Sequence, residues 1–178
     1  MSAADELVDV VDEDDRVLRR ATRAEMRRAN LLHRAVYILV RSSRGELFVH
    51  RRTTTKDVYP GYWDVTVGGV VGAGEDYDIA ARRELAEEIG VACDDIEPLF
   101  AVRYEDRSTR LVGRAYLARH DGPFRLQVGS KSECPTPVRW PEWPPVFRDF
   151  ALRGRTAPSA RSITYTALVR GGWSFTRL

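Results

Sequence analysis

The chain has 178 residues, 43% of them hydrophobic and 30% charged, with a formal net charge of +2. That balance fits one soluble globular domain and excludes overall disorder. Apolar runs such as Ala35 to Val40 fall far short of the roughly 20 residues that span a bilayer. Two cysteines, Cys93 and Cys134, are too few for a disulfide scaffold or a cysteine-based zinc site.

Met1 to Asp15 is acidic, without a basic start or an apolar segment, so no signal peptide is expected and a reducing cytoplasm is the expected compartment. Leu7 to Val11, a polar turn at Glu13–Arg16 and Val17-Leu18 read as a hairpin. Thr22-Arg-Ala-Glu25 fits a capping box, predicting a helix from Thr22 to near Asn30. His33 to Arg41 is rich in Val, Ile and Tyr and predicts a strand; Ser42 to Gly45 turns the chain into a partner strand over Glu46–Arg52. Trp63 to Val67 predicts a short buried strand. A glycine-rich stretch, Gly68 to Gly74, then runs into a helix over Asp78–Ile89, stopped by Gly90. Further strands are expected at Glu97–Tyr104 and Thr109–His120.

Beyond Gln127 the pattern breaks. Residues 128–178 carry six of the nine prolines and three of the four tryptophans, with eight Lys and Arg against three Asp and Glu. The predicted organisation is therefore a hairpin and helix over 1–30, a catalytic core over 31–127, and an irregular, mobile tail over 128–178. The basic residues do not cluster with aromatics, so no nucleic-acid partner is expected, and no membrane partner either.

The Asp78–Ile89 helix carries the chemistry. At 100° per residue, Glu84 and Glu88 lie about 40° apart and Glu87 about 60° from Glu84, with Ala81, Leu85, Ala86 and Ile89 opposite as a core face. Like charges four apart cost a helix about 0.2–0.5 kcal/mol. A hard divalent cation over that face would offset the repulsion, since Mg²⁺ favours carboxylate oxygen and leaves positions open for phosphates. A solvated acidic face balanced by Arg82 and Arg83 is the plainer alternative for three glutamates alone.

The spacing around them decides between the two. Gly69, five residues, Glu75, seven residues, Arg83-Glu84-Leu85, one residue, Glu87-Glu88, one residue and Gly90-Val91 fill every fixed position of the pattern GX5EX7REUXEEXGU, where U is bulky and aliphatic. A chance match is on the order of 10⁻⁹ per start position at average residue usage. The chain resembles the Nudix hydrolase superfamily over this box and, by order of elements, over roughly residues 7–120. The resemblance implies an α+β fold, an α/β/α sandwich with a mixed sheet. It also implies Mg²⁺-dependent hydrolysis of a small-molecule diphosphate, usually a nucleoside diphosphate derivative, with Mn²⁺ able to substitute. Glu84, Glu87, Glu88 and the Gly68 carbonyl match the metal-binding positions, and Arg83 and Glu75 match a bracing pair. Gly69 and its neighbours let backbone approach the substrate.

Leu31–Val36, Gly45–Arg52 and Tyr59–Asp64 are similar to the branch that includes isopentenyl-diphosphate isomerase. Where that isomerase carries a catalytic cysteine and then a metal-binding histidine, this chain has Gly68 and Val70, so a hydrolase on an isomerase-like frame is expected. Isomerisation and a non-catalytic nucleotide-binding module are the alternatives. Arg51 and Arg52 end a strand beside the expected site and are candidates to grip phosphate. Glu105, with Asp106, is the candidate general base. His33 matches a metal-ligand position of the isomerases, though a lone histidine opening a strand is more often structural.

Overall fold

The computed structural model describes residues 2–51, 63–125 and 133–138. The first two strands, β1 (Leu7–Val11) and β2 (Val17–Thr22), form the expected antiparallel hairpin. Thr22 caps α1 (Arg23–Arg28): its hydroxyl accepts the Glu25 N–H at 3.1 Å, as a capping-box threonine does. Met26 of α1 packs against Val8 and Val70, closing one end of the sheet.

A central strand, β3 (His33–Arg41), follows, and a turn leads to β4 (Leu47–Arg51) and β5 (Trp63–Asp64). The helix α2 (Tyr77–Ile89) comes next, ending at Gly90 in the left-handed conformation, and then β6 (Ile96–Glu105) and β7 (Arg110–Arg119). β7 pairs parallel with β3 along its whole length, from His33 opposite Leu111 to Arg41 opposite Arg119. The β1–β2, β3–β4 and β6–β7 pairs are antiparallel. The mixed sheet and the α+β class are as expected. The 139–178 segment, most of the predicted irregular tail, lies outside the described residues.

The expectation of irregular chain beyond Gln127 is corrected at one place. Glu133–Val138 forms β8, antiparallel to β4, with Leu47 opposite Val138 and Val49 opposite Thr136. Proline content argued against a strand there, because proline cannot donate to a ladder. Pro135 and Pro137 are two residues apart, so both missing donors face the same side of β8, and among the described residues β8 pairs only with β4, as an edge strand that tolerates proline would.

Alternation along β3 divides the core. Val36, Ile38 and Val40 face α2 and pack with Leu85, Ile89 and Tyr116. Ala35 faces the other way, with Val102, Tyr104, Leu111 and Ala115. No helix among the described residues is long and apolar enough to cross a membrane.

Candidate functional site

The edge of β3 away from β7 is occupied by the glycine-rich segment. Val67 exchanges two backbone hydrogen bonds with Ile38 (2.7 and 2.9 Å), Val36 N–H donates to the Gly69 carbonyl at 2.9 Å, and Val71 N–H donates to the Arg34 carbonyl at 3.0 Å. The glycine-rich stretch expected to bring backbone close to the substrate is thus held like a strand along much of its length. At Gly68 the approach is so close that a Cβ would lie 2.0 Å from the Val36 carbonyl oxygen. Only glycine fits that contact.

Across from this edge lies α2. Its buried residues are Tyr77, Ala80, Ala81, Glu84, Leu85, Glu88 and Ile89, an unbroken i, i+3, i+4 stripe. This corrects the expected core face in two respects. Ala86 is exposed, and Glu84 and Glu88 belong to the buried stripe, each 7% exposed. Sorting residues by polarity sends glutamates to solvent; here two of them face the Gly68–Gly69 turn. The Gly68 N–H donates to Glu88 Oε2 at 3.4 Å, and a Cβ on Gly69 would come 2.5 Å from Glu84 Oε1. Glu87, on the next face round, has a side chain 52% exposed.

Arg83 ties these carboxylates to the loop. Its Nε and Nη2 donate to the two oxygens of Glu75, both at 2.9 Å, and Nη2 also reaches the Val70 carbonyl at 3.3 Å. Its Nη1 donates to Glu84 Oε1 at 2.9 Å and to Glu87 Oε2 at 3.2 Å. The bidentate bond to Glu75 raises the Arg83 pKa far above its ordinary value, although burial opposes this. Burial alone would raise the Glu75 carboxyl; the bonds from Arg83 and from the Gly72 N–H outweigh it and hold that carboxyl below its ordinary value of 4.5. The unfolded chain therefore takes up this proton first as pH falls. The contribution of Glu75 to stability is expected to be complete above about pH 4.5 and to be lost as pH drops through the lower folded-state value. Melting curves from pH 6 to 3 on the parent and on Glu75→Gln check this: the parent's excess stability shrinks below pH 4.5.

The remaining candidates separate. Glu105 is exposed at the end of β6, paired with Arg110 at 3.0 Å, and β7 stands between its strand and β3. No described contact brings it to α2, so the structure does not join it to the glutamate cluster. Neighbouring Asp106 is a turn residue: burial pushes its carboxyl up, but bonds from Tyr104, Ser108 and Thr109 together outweigh it and pull it down to about 2. His33 is buried on the sheet face away from α2, with Nδ1 2.9 Å from the Leu31 carbonyl, and burial lowers its pKa. Arg51 closes β4, its backbone opposite Trp63 and Glu133. Arg52 lies outside the described residues.

The site suits a hard divalent cation by its donor chemistry: two carboxylates already withdrawn from water, beside a turn that lacks any Cβ to fill the space. Among the described residues no three His, Cys, Asp or Glu side chains converge as a metal site, and the Arg83 guanidinium spans Glu84 and Glu87 instead.

The NUDIX domain family model matches residues 31–146. The chain belongs to the Nudix family. The Nudix hydrolase SCO1686 of Streptomyces coelicolor is 50% identical over 130 residues, covering 72% of this chain and 72% of that protein. The Nudix hydrolase PA4841 of Pseudomonas aeruginosa is 44% identical over 129 residues, covering 72% and 76% respectively. Among solved structures, DR0079 from Deinococcus radiodurans superposes with a TM-score of 0.65 at 28% identity, covering 75% of this chain and 83% of that one. This Nudix chain is an enzyme of the pyrophosphohydrolase class. The box expected from spacing alone is thereby the Nudix box, and its loop and helix are the pair described above.

Proposed function

We propose that this Nudix chain hydrolyses the diphosphate bridge of a small organic pyrophosphate, a nucleoside diphosphate derivative or a compound of similar shape, with Mg²⁺ as cofactor and Mn²⁺ able to replace it. One observation carries the reading: Glu84 and Glu88 are buried against a two-glycine turn where any side chain would collide with carbonyl or carboxylate oxygen. Burying two like charges one helical turn apart is costly unless positive charge compensates them. Arg83 supplies part of that charge.

Glu84, Glu87, Glu88 and the Gly68 carbonyl would hold the cation. When bound, Mg²⁺ neutralises charge developing on phosphate oxygen and lowers the pKa of a bound water. The protein residues do the rest. The Gly68 N–H orients Glu88, and the Glu75–Arg83 pair orients Glu84. Glu87, half exposed at the mouth of the site, takes the proton of the attacking water as its oxygen bonds to phosphorus and the bridging P–O bond breaks. Arg51 and Arg52 are assigned to the leaving phosphate. The N-terminal hairpin and α1, residues 1–30, are read as part of the same domain as the 31–127 core, in a cytoplasmic enzyme.

The isomerase reading is disfavoured by Gly68: no thiol stands there to move a proton, and Cys93 lies past α2, bonded to the Asp95 carbonyl at 3.3 Å. Phosphate release with Mg²⁺, measured over nucleoside diphosphate derivatives and prenyl diphosphates, tests both readings. Hydrolysis of at least one compound is expected, and NMR of an isopentenyl diphosphate incubation is expected to show no allylic isomer. Dimethylallyl product, or no hydrolysis across the panel, would refute the assignment.

A further inference from the structure

Among the described residues, Asp9 is a charge that the site described above does not use, only 4% exposed in the middle of β1. It lies outside the 31–146 segment matched by the family model, in a strand whose neighbours are valines. One oxygen, Oδ2, accepts the Gly74 N–H at 2.8 Å, across 65 residues of sequence. The other, Oδ1, is buried with no hydrogen bond and has Arg20 Nε 3.6 Å away. Arg34 Nη1 stands 4.0 Å from Oδ2.

Arg34 leads back to the helix. Its Nε donates to Asp15 Oδ1 and its Nη2 to the Asp15 carbonyl, both at 2.6 Å. Asp15 presents both groups from the left-handed conformation, φ +65°. Its second carboxylate oxygen accepts the Tyr77 hydroxyl at 3.1 Å. Backbone contacts run beside this chain of charges: Val8 bridges to Gly72, and Ala73 N–H donates to the Leu7 carbonyl at 2.9 Å.

The result is a ring of contacts, Gly74 to Asp9 to Arg34 to Asp15 to Tyr77, that closes through only two residues, Glu75 and Asp76. Glu75 is the residue that holds Arg83, and Arg83 holds Glu84 and Glu87. We infer that Asp9, seconded by Asp15, is a positioning residue for the metal-binding carboxylates. The N-terminal hairpin then acts as a clamp on the Nudix loop and not merely as an added edge of the sheet. This inference rests on the metal reading of Glu84, Glu87 and Glu88 proposed above.

Binding of Mn²⁺ by the full chain, followed by the loss of the free-ion EPR signal, tests it alongside melting temperature. Outer residues that orient ligands typically cost 10–100-fold in metal affinity when removed. Asp9→Ala is expected to weaken Mn²⁺ binding about tenfold at a temperature where it remains folded. Asp9→Asn, which keeps an oxygen for the Gly74 N–H, is expected to lose less. A folded Asp9→Ala chain weakened less than threefold, with only its melting temperature lowered, overturns the positioning role. If Asp9→Ala does not fold, Asp15→Ala takes its place: Asp15 is more exposed, and a loss under threefold there overturns the inference equally. Glu88→Gln is the control that separates the two claims. A parent chain whose Mn²⁺ binding is absent, or indifferent to Glu88→Gln, overturns the metal reading and the Asp9 role with it. A Glu88-dependent parent unmoved by the aspartate variants overturns the Asp9 role alone.

Discussion

Glu88→Gln is expected to lower Mg²⁺-dependent turnover by at least about 10³-fold, roughly 4 kcal/mol of transition-state stabilisation. The side chain keeps its volume and its place on the buried stripe of α2, and its amide oxygen can still accept the Gly68 N–H. What it loses is the charge, at a position where burial makes each charge count for more than in water. Melting temperature is expected to stay level or rise, because a buried carboxylate close to Glu84 is relieved. Steady-state kinetics on any substrate the parent cleaves check the first claim, and thermal denaturation checks the second. Turnover within threefold of the parent, under about 1 kcal/mol, would remove Glu88 from the site.

Gly68→Ala is expected to have the largest effect on the fold. The added methyl would sit 2.0 Å from the Val36 carbonyl oxygen and 2.9 Å from its carbon, inside a backbone contact with no side chain to move aside. Relief requires the 67–71 segment to peel away from β3, giving up the Val36–Gly69 and Val67–Ile38 hydrogen bonds. A loss of about 4 kcal/mol places the change among the largest single-residue effects. For a chain of this length that corresponds to a fall of about 8–16 °C in melting temperature. A fall under about 3 °C would show that the turn accommodates a side chain. Gly69→Ala provides the contrast: its Cβ meets the Glu84 carboxylate, the end of a side chain, so activity is expected to suffer more than stability.

Most of the strands were legible because they are written in Val, Ile and Tyr between turn residues; β3 runs from His33 to Arg41 as predicted. The Nudix box was legible because this chain fills every fixed position of its spacing, from Gly69 to Val91. The burial of Glu84 and Glu88 was not legible, since polarity places glutamate in water and only the opposing glycine turn explains its withdrawal. β8 was hidden by Pro135 and Pro137, whose common side becomes meaningful only once β4 is known as its partner. Asp9 and Asp15 carried no local signal at all: they look like ordinary acids in a hairpin, and their partners Gly74 and Tyr77 are more than 60 residues away. Proximity in sequence to the box made Glu105 a candidate base, and two intervening strand positions in the sheet set it apart.

The parallel register of β3 and β7 bears on how the enzyme comes into being. His33 meets Leu111 and Arg41 meets Arg119 only after the chain between them, including α2, has been threaded into place. Closing so long a segment carries an entropic cost that local hairpins avoid, and pairings of this kind form slowly. The glycine turn, by contrast, docks on the opposite edge of the same strand from a much shorter distance. During synthesis the turn and its glutamates are thus available to meet well before β7 emerges to cover the far edge of β3. The far edge of β3 is therefore closed later than its near edge, and the long β3–β7 closure is expected to be the slower step in forming this part of the sheet.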